Sequence, residues 1–183
     1  MNHDNPFIFL IDTLFDIYIA IVLLRFLLQQ VGADFYNPIS QFIVKATHKP
    51  VIIARRIIPS LRGIDLATLS LAVLLILTKL IILLALGGMQ PSISALLIKS
   101  LFDLISLTFD IFIFAVFLQA ILSWVNPDPY NPVSALLSSL TRPILNPIRK
   151  RLPIMGGLDL STIVALIGLM FVKRLVLYIF TLF

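Results

Sequence analysis

Four stretches of the chain are apolar for longer than a helix in a soluble core needs. They cover residues 7–28, 66–86, 98–122 and 160–180. A helix crossing bilayer hydrocarbon takes roughly 20 mostly apolar residues, and at that length in lipid only a helix satisfies its own backbone. The pattern therefore predicts four transmembrane helices. Long connectors separate the first span from the second and the third from the fourth, and there the pattern changes. Each connector opens on a capping asparagine and a proline suited to the first helical position, Asn37-Pro38 and Asn131-Pro132. Apolar residues then recur at helical spacing: Ile39, Phe42, Ile43 and Ala46 in one, Val133, Leu136, Leu137 and Leu140 in the other. Each predicts a short amphipathic helix, stopped by Pro50 or Pro143. A second short segment follows, VIIARRIIP or ILNPIRKRLP, mixing apolar residues with basic ones. Gly87-Gly88-Met89-Gln90-Pro91 reads as a tight turn between the second and third spans.

The chain states this pattern twice. A shift of 94 residues lays Asp16 on Asp110, Tyr36-Asn37-Pro38 on Tyr130-Asn131-Pro132, and Thr47 on Thr141. It also lays Pro59 on Pro153, Gly63 on Gly157, Asp65 on Asp159, Thr68 on Thr162 and Lys79 on Lys173. A one-residue slip in between pairs Pro50 with Pro143 and Arg56 with Arg149. Duplication of this kind sets the architecture. Residues 1–90 form one repeat and 91–183 the other, each a span, a connector and a second span. The fold class expected is an all-α membrane protein, with four transmembrane helices as two parallel-repeat hairpins and amphipathic interfacial helices in each connector. Two spans per repeat make both hairpins face the same way, related by an axis along the membrane normal.

Charge gives the direction. The first connector carries Lys45, Lys49, Arg55, Arg56 and Arg62; the second carries Arg142, Arg149, Lys150 and Arg151. On the opposite side only Lys99 stands near a helix start. The asymmetry predicts cytoplasmic connectors and both termini outside. The basic surface suits anionic lipid headgroups, with lysine and arginine snorkelling while isoleucine and leucine dip into the acyl boundary. A plain structural cap on the bundle, or a groove for a membrane-protein partner, fits the same helices. At the end of each connector, Gly63-x-Asp65 and Gly157-x-Asp159 offer a turn and a cap for the next span, with Thr68 and Thr162 placed to support the helix start.

Charges also stand inside the spans, where each costs on the order of 2.5–3.5 kcal/mol at the centre. Asp16 and Lys79, and likewise Asp110 and Lys173, lie about 12–14 Å below the outer surface at 1.5 Å per residue. The count predicts one Asp–Lys pair per repeat. Asp12, one turn from Asp16, stands to share the lysine, and Asp103 lies two turns nearer the outer surface than Asp110. Arg25, near the connector end of the first span, is expected to snorkel; its counterpart is Gln119, so that charge is not duplicated.

Composition narrows the chemistry. Of 183 residues, 60% are hydrophobic, mean hydropathy is +1.07, and only 13% are charged, which calls for lipid as solvent. The absence of cysteine excludes disulfides, thiolate catalysis and cysteine-held metal. Two histidines, His3 and His48, are too few for a histidine-rich metal centre. No cofactor motif or catalytic triad emerges: Ser123 and Ser161 have no histidine nearby in sequence, and His48 beside Thr47 is a weak lead. The N-terminus lacks the basic region and cleavage site of a secretory signal, so the first span is expected to be retained. The net charge of +5 sits beside spans, and the aromatics lie in spans or at interfaces, which argues against nucleic acid.

The string Ser123-Trp124, Asn131-Pro132, Thr141-x-Pro143, Pro147-x-Arg149, Pro153 and Gly156-Gly157-x-Asp159-x-Ser161 resembles the YggT/YlmG family of small bacterial integral membrane proteins. The resemblance covers essentially the whole chain as two tandem units, the second the better match. The first has Gln29-Gln30 for Ser-Trp and Arg62-Gly63 for the double glycine, and Gln119 stands where an arginine often does. The resemblance implies a multi-pass inner-membrane protein without known catalysis or assigned catalytic residues. It further implies links to osmotic-stress tolerance, to cell division in some bacteria and, in plastid relatives, to nucleoid distribution and cytochrome-complex assembly. The expected function is thus non-enzymatic, organising or assisting envelope processes through the basic connectors. The alternative is a small ion or solute channel or carrier using the Asp–Lys pairs. Four helices are few to enclose a pore, which leaves room for a homo-oligomer.

Overall fold

The computed structural model describes residues 5–61, 63–88, 92–125, 131–151 and 159–180. Arg62, Gly157, His3, Tyr130, Pro153, Gly156 and the Met89-Gln90-Pro91 part of the turn lie outside the described residues. Among those described, the chain is all-helical: α1 Pro6–Gln30, α2 Pro38–Ile57, α3 Leu66–Leu86, α4 Ile93–Val125, α5 Pro132–Arg149 and α6 Leu160–Phe180. Four of these, α1, α3, α4 and α6, are long and apolar enough to cross a membrane. The apolar stretches locate α3 and α6 to the residue. The helix α4 runs past its apolar window at both ends, because nothing between Ile93 and Val125 breaks it. At about 1.5 Å per residue it is on the order of 50 Å long, more than the roughly 30 Å of hydrocarbon.

The connectors differ from their sequence reading. Pro50 and Pro143 do not stop the amphipathic helices: α2 continues through Pro50, and α5 through Pro143 and Pro147. An interior proline costs a helix roughly 3 kcal/mol, because it removes one ladder hydrogen bond and crowds the preceding turn. Here packing on both sides of the break offsets that cost. In α2 the buried edge runs Ile43, Thr47, Val51, straddling Pro50; in α5 it runs Leu136, Leu137, Leu140, Thr141, Leu145, straddling Pro143. The carbonyl that Pro50 leaves without a donor is that of Ala46, and the Tyr18 hydroxyl of α1 reaches it at 3.5 Å.

Two compact units divide the chain, Met1–Phe26 with Ile43–Leu107 and Leu27–Phe42 with Thr108–Phe183. In the first, α1 contributes Ile19, Val22 and Leu23 to the buried interior, and α3 contributes Ala67, Ala72 and Ile76. In the second, Val116 of α4, Leu145 of α5 and Ala165 of α6 form a core, with Ile144, Ile148, Leu166 and Leu169 against it. The second unit also takes in the end of α1 and the start of α2. There the Asn37 side chain caps α2 by accepting from the Ile39 amide at 2.9 Å, and its Nδ2 donates to the Pro132 carbonyl at 2.7 Å.

Candidate functional site

Three sets of polar side chains stand out, and each recurs 94 residues further on. The first joins connector to span. Gly63, at φ +85°, turns the chain after α2, and Asp65 then caps α3. The Asp65 carboxylate accepts from the Thr68 amide at 3.2 Å, the Thr68 hydroxyl at 2.7 Å and the Arg55 guanidinium at 2.5 Å. In the second unit Asp159 accepts from the Ser161 amide at 3.1 Å, from the Ser161 hydroxyl, and from Nε and an Nη of Arg149 at 3.0 and 2.6 Å. Burial pushes the Asp65 carboxyl up, but the Arg55 and Thr68 bonds more than reverse it, so it sits below the ordinary carboxylate value. Asp159 is lowered in the same way, burial opposed by Ser161 and Arg149.

These clamps correct two expectations. In the second repeat the supporting hydroxyl comes from Ser161, not Thr162, because Asp159 reaches only two residues ahead. The equivalent of Arg149 is Arg55, not Arg56, so the 94-residue register holds here without a slip. Reading the sequence for capping alone missed both arginines. The signal was present: arginine precedes aspartate by ten residues at both junctions.

The second set lies where α1 meets α2 and α4 meets α5. Arg25 does not snorkel. It is only 7% exposed, and one Nη donates to the Thr47 hydroxyl at 2.8 Å and the Val44 carbonyl at 3.2 Å. The reason is the inward-facing threonine: Thr47 is fully buried and passes its own proton to the Ile43 carbonyl at 2.7 Å, so its oxygen accepts from Arg25. In the second unit the Thr141 hydroxyl meets the Gln119 side-chain amide and bonds the Leu137 carbonyl at 2.9 Å. A hydroxyl has one proton. The Gln119 carbonyl and the Leu137 carbonyl both lie within reach of that proton, so span and connector helix are joined here too, with the threonine as donor and without the charge.

The third set lies within the spans. Lys79 of α3 donates to Asp16 of α1 at 2.6 Å and lies 3.2 Å from Asp12. In the second unit Lys173 of α6 donates to Asp110 of α4 at 2.5 Å. These are the residues the depth count pairs. The outer sides of the pairs are not covered: the Asp16 and Asp110 side chains are each 53% exposed. Lys99 donates to Asp103 within α4 at 2.5 Å and stacks over the Phe102 ring.

The basic connector residues Lys45, Lys49, Arg55, Arg56, Arg142, Arg149, Lys150 and Arg151 are all exposed. Only Arg55 and Arg149 of these form ion pairs among the described residues. No group of three or more potential ligands able to hold a metal ion occurs among the described residues.

The chain matches the CCB3/YggT family twice, over residues 5–86 and again over 98–180. It belongs to that family. It is 48% identical to an uncharacterised protein of Pseudomonas aeruginosa, over 93% of this chain and 87% of that protein. An uncharacterised protein encoded in the proC 3′ region of Vibrio alginolyticus is 44% identical over 93% of both chains. The uncharacterised protein YggT of Escherichia coli K12 is 39% identical, over 87% of this chain and 83% of its own length. No solved structure matches. As a CCB3/YggT protein with four long apolar helices, the chain is a helical membrane protein, and its two family segments each hold a junction clamp, a buried threonine contact and a mid-span ion pair.

Proposed function

We propose that this is a non-enzymatic multi-pass protein of the bacterial inner membrane. Its connectors lie on the cytoplasmic leaflet, its termini outside, and it organises or assists envelope processes of the kind its family resemblance implies: osmotic-stress tolerance, cell division or membrane-complex assembly. One observation carries the reading. On α2, Lys45, Lys49 and Arg56 are exposed beside exposed Phe42, Ile53 and Ile57, and in the second unit Arg142 on α5 and Lys150 and Arg151 just after its end are exposed; none of the six forms an ion pair among the described residues. A surface of free cations flanked by apolar side chains suits the boundary between anionic headgroups and acyl chains, at about 1 kcal/mol per basic residue. The channel or carrier reading has less support. Both mid-span acids are already engaged by lysine, and α1, α3, α4 and α6 run as continuous helices without the broken segments that carriers use to coordinate ions.

The test replaces Lys45, Lys49, Arg56, Arg142, Lys150 and Arg151 together with glutamine. Arg55 and Arg149 stay, because they hold the junctions. Protein extracted from membranes of mixed lipid should retain several-fold less anionic phospholipid than the unaltered chain, and should fail to restore growth under osmotic stress to cells lacking it. Unchanged lipid enrichment together with full restoration of growth would remove the basis for the proposal.

A further inference from the structure

The mid-span ion pairs are duplicated, but their surroundings are not. In the first unit two acids, Asp12 and Asp16, face one base, Lys79. In the second unit one acid, Asp110, faces Lys173, and the next residue of α6 is Arg174. Arg174 is exposed and makes no ion pair among the described residues. The counterpart of Asp12, 94 residues on, is Ser106, and the counterpart of Arg174 is Leu80, which is buried. Around the Asp–Lys pair, each repeat thus carries one charge that the other lacks, Asp12 in the first and Arg174 in the second, and the two are opposite in sign.

Depth makes the opposition meaningful. Lys79 stands seven residues before the end of α3 at Leu86, and Lys173 stands seven before the end of α6 at Phe180. At about 1.5 Å per residue each charged layer lies roughly 10 Å short of the end of its own span. A carboxylate on a single methylene cannot reach the headgroups from there, so a half-exposed Asp16 would face hydrocarbon at a cost of several kcal/mol. Burial against protein bearing a cation removes that cost. Exposed aromatic side chains flank each layer on the side of the matching helix end: Phe9 precedes Asp16 by two turns on α1, three residues from its start, and Tyr178 follows Arg174 by one turn on α6, two residues from its end.

We propose that a second copy of this chain covers these faces, the α1 face bearing Asp12 and Asp16 of one copy meeting the α6 face bearing Arg174 of the other. The chain is its own best partner here because it carries both the surplus acid and the surplus base, each at the same distance from the end of its span. Any other membrane protein would have to supply a cation at that depth for one face and an anion for the other.

The absence of cysteine makes a clean test available. Two differently tagged copies are expressed together, one with Phe9→Cys and the other with Tyr178→Cys, and are oxidised in native membranes. The expected result is a disulfide between copies at least about tenfold more abundant than in pairs carrying Phe9→Cys twice or Tyr178→Cys twice. Adding Arg174→Gln to the second copy should cut the yield about tenfold, and Arg174→Lys should restore most of it. Arg174 is exposed, so neither change disturbs the interior. Like-with-like disulfides in excess, no disulfide between copies, or a yield indifferent to Arg174→Gln, as when Arg174 merely snorkels to the headgroups, each overturns the proposal.

Discussion

The same backbone position is served by a buried guanidinium in one repeat and by a neutral amide in the other. Arg25 and Gln119 stand 94 residues apart, and each meets a threonine that is fully buried and bonded back to its own helix. The repeat therefore keeps a polar contact to that threonine where span meets connector helix, and lets its charge vary. The junctions vary in the opposite way. Both keep an arginine, an aspartate and a hydroxyl, but the Asp65 side chain is fully buried while that of Asp159 is 39% exposed. Chemistry is kept there and environment changes. Removing single groups from each side separates what the architecture needs from what each repeat has added.

The junction aspartates should show the largest difference. Asp65→Ala removes a helix cap and leaves the buried Thr68 amide and hydroxyl without their acceptor, a loss of about 2–3 kcal/mol. Asp159→Ala removes the same cap where the carboxylate is 39% exposed and water can substitute, so about 1 kcal/mol is expected. Unfolding in mixed micelles by titrated dodecyl sulfate measures both, and equal losses would mean that burial does not set the cost. Acid probes the same contacts without mutation. Both carboxyls sit below their ordinary value when folded, so their contribution is complete above the unfolded value near 3.9 and is lost as pH falls through the lowered folded values. Hydrogen-exchange protection of the Thr68 and Ser161 amides, corrected for the intrinsic rate, should hold from pH 7 to about 5 and collapse below about 4. Loss already between pH 7 and 6 would contradict the clamps.

The second comparison sharpens the role of Arg25. If any neutral polar partner for the threonine suffices, Arg25→Gln should cost under about 1 kcal/mol, since Gln119 is that partner in the other unit. Arg25→Ala should cost about 1–2 kcal/mol, through lost hydrogen bonds to Thr47 and Val44 and lost packing of the long side chain. The same micelle titration reads both. Equal damage from the two substitutions would show that the charge itself is required, and the parallel with Gln119 would fail.

Much of this was legible in the sequence, for physical reasons that also mark where reading stopped. Hydrophobic length located α3 and α6 because lipid imposes one length on every span. It undershot α4 because a helix has no reason to end where its apolar window ends. The Asp16–Lys79 and Asp110–Lys173 contacts follow from depth counting, since antiparallel spans bring equal depths together. Three features were not legible. Proline reads as a stop, yet α2 and α5 continue because residues on both sides of the break are packed. A lone arginine near a span end reads as snorkelling, and only the inward-facing Thr47 turns Arg25 inside. The Arg55–Asp65 and Arg149–Asp159 bridges span an irregular turn, where periodicity carries no information and only the repeated ten-residue spacing points to them.

The smallest expected effect concerns the proline in α2. Tyr18 donates to the Ala46 carbonyl that Pro50 leaves unserved, at a long 3.5 Å and in an exposed setting. Its counterpart 94 residues on is Phe112, which has no hydroxyl to offer. The second repeat therefore accommodates its prolines without such a donor, and the first should manage as well. Tyr18→Phe is expected to cost less than about 0.5 kcal/mol, because water can reach the freed carbonyl. A loss above about 1.5 kcal/mol would mean that the carbonyl is cut off from water in the membrane and that Pro50 depends on Tyr18. The two repeats would then carry their prolines by different means, α5 through packing alone and α2 through a borrowed donor.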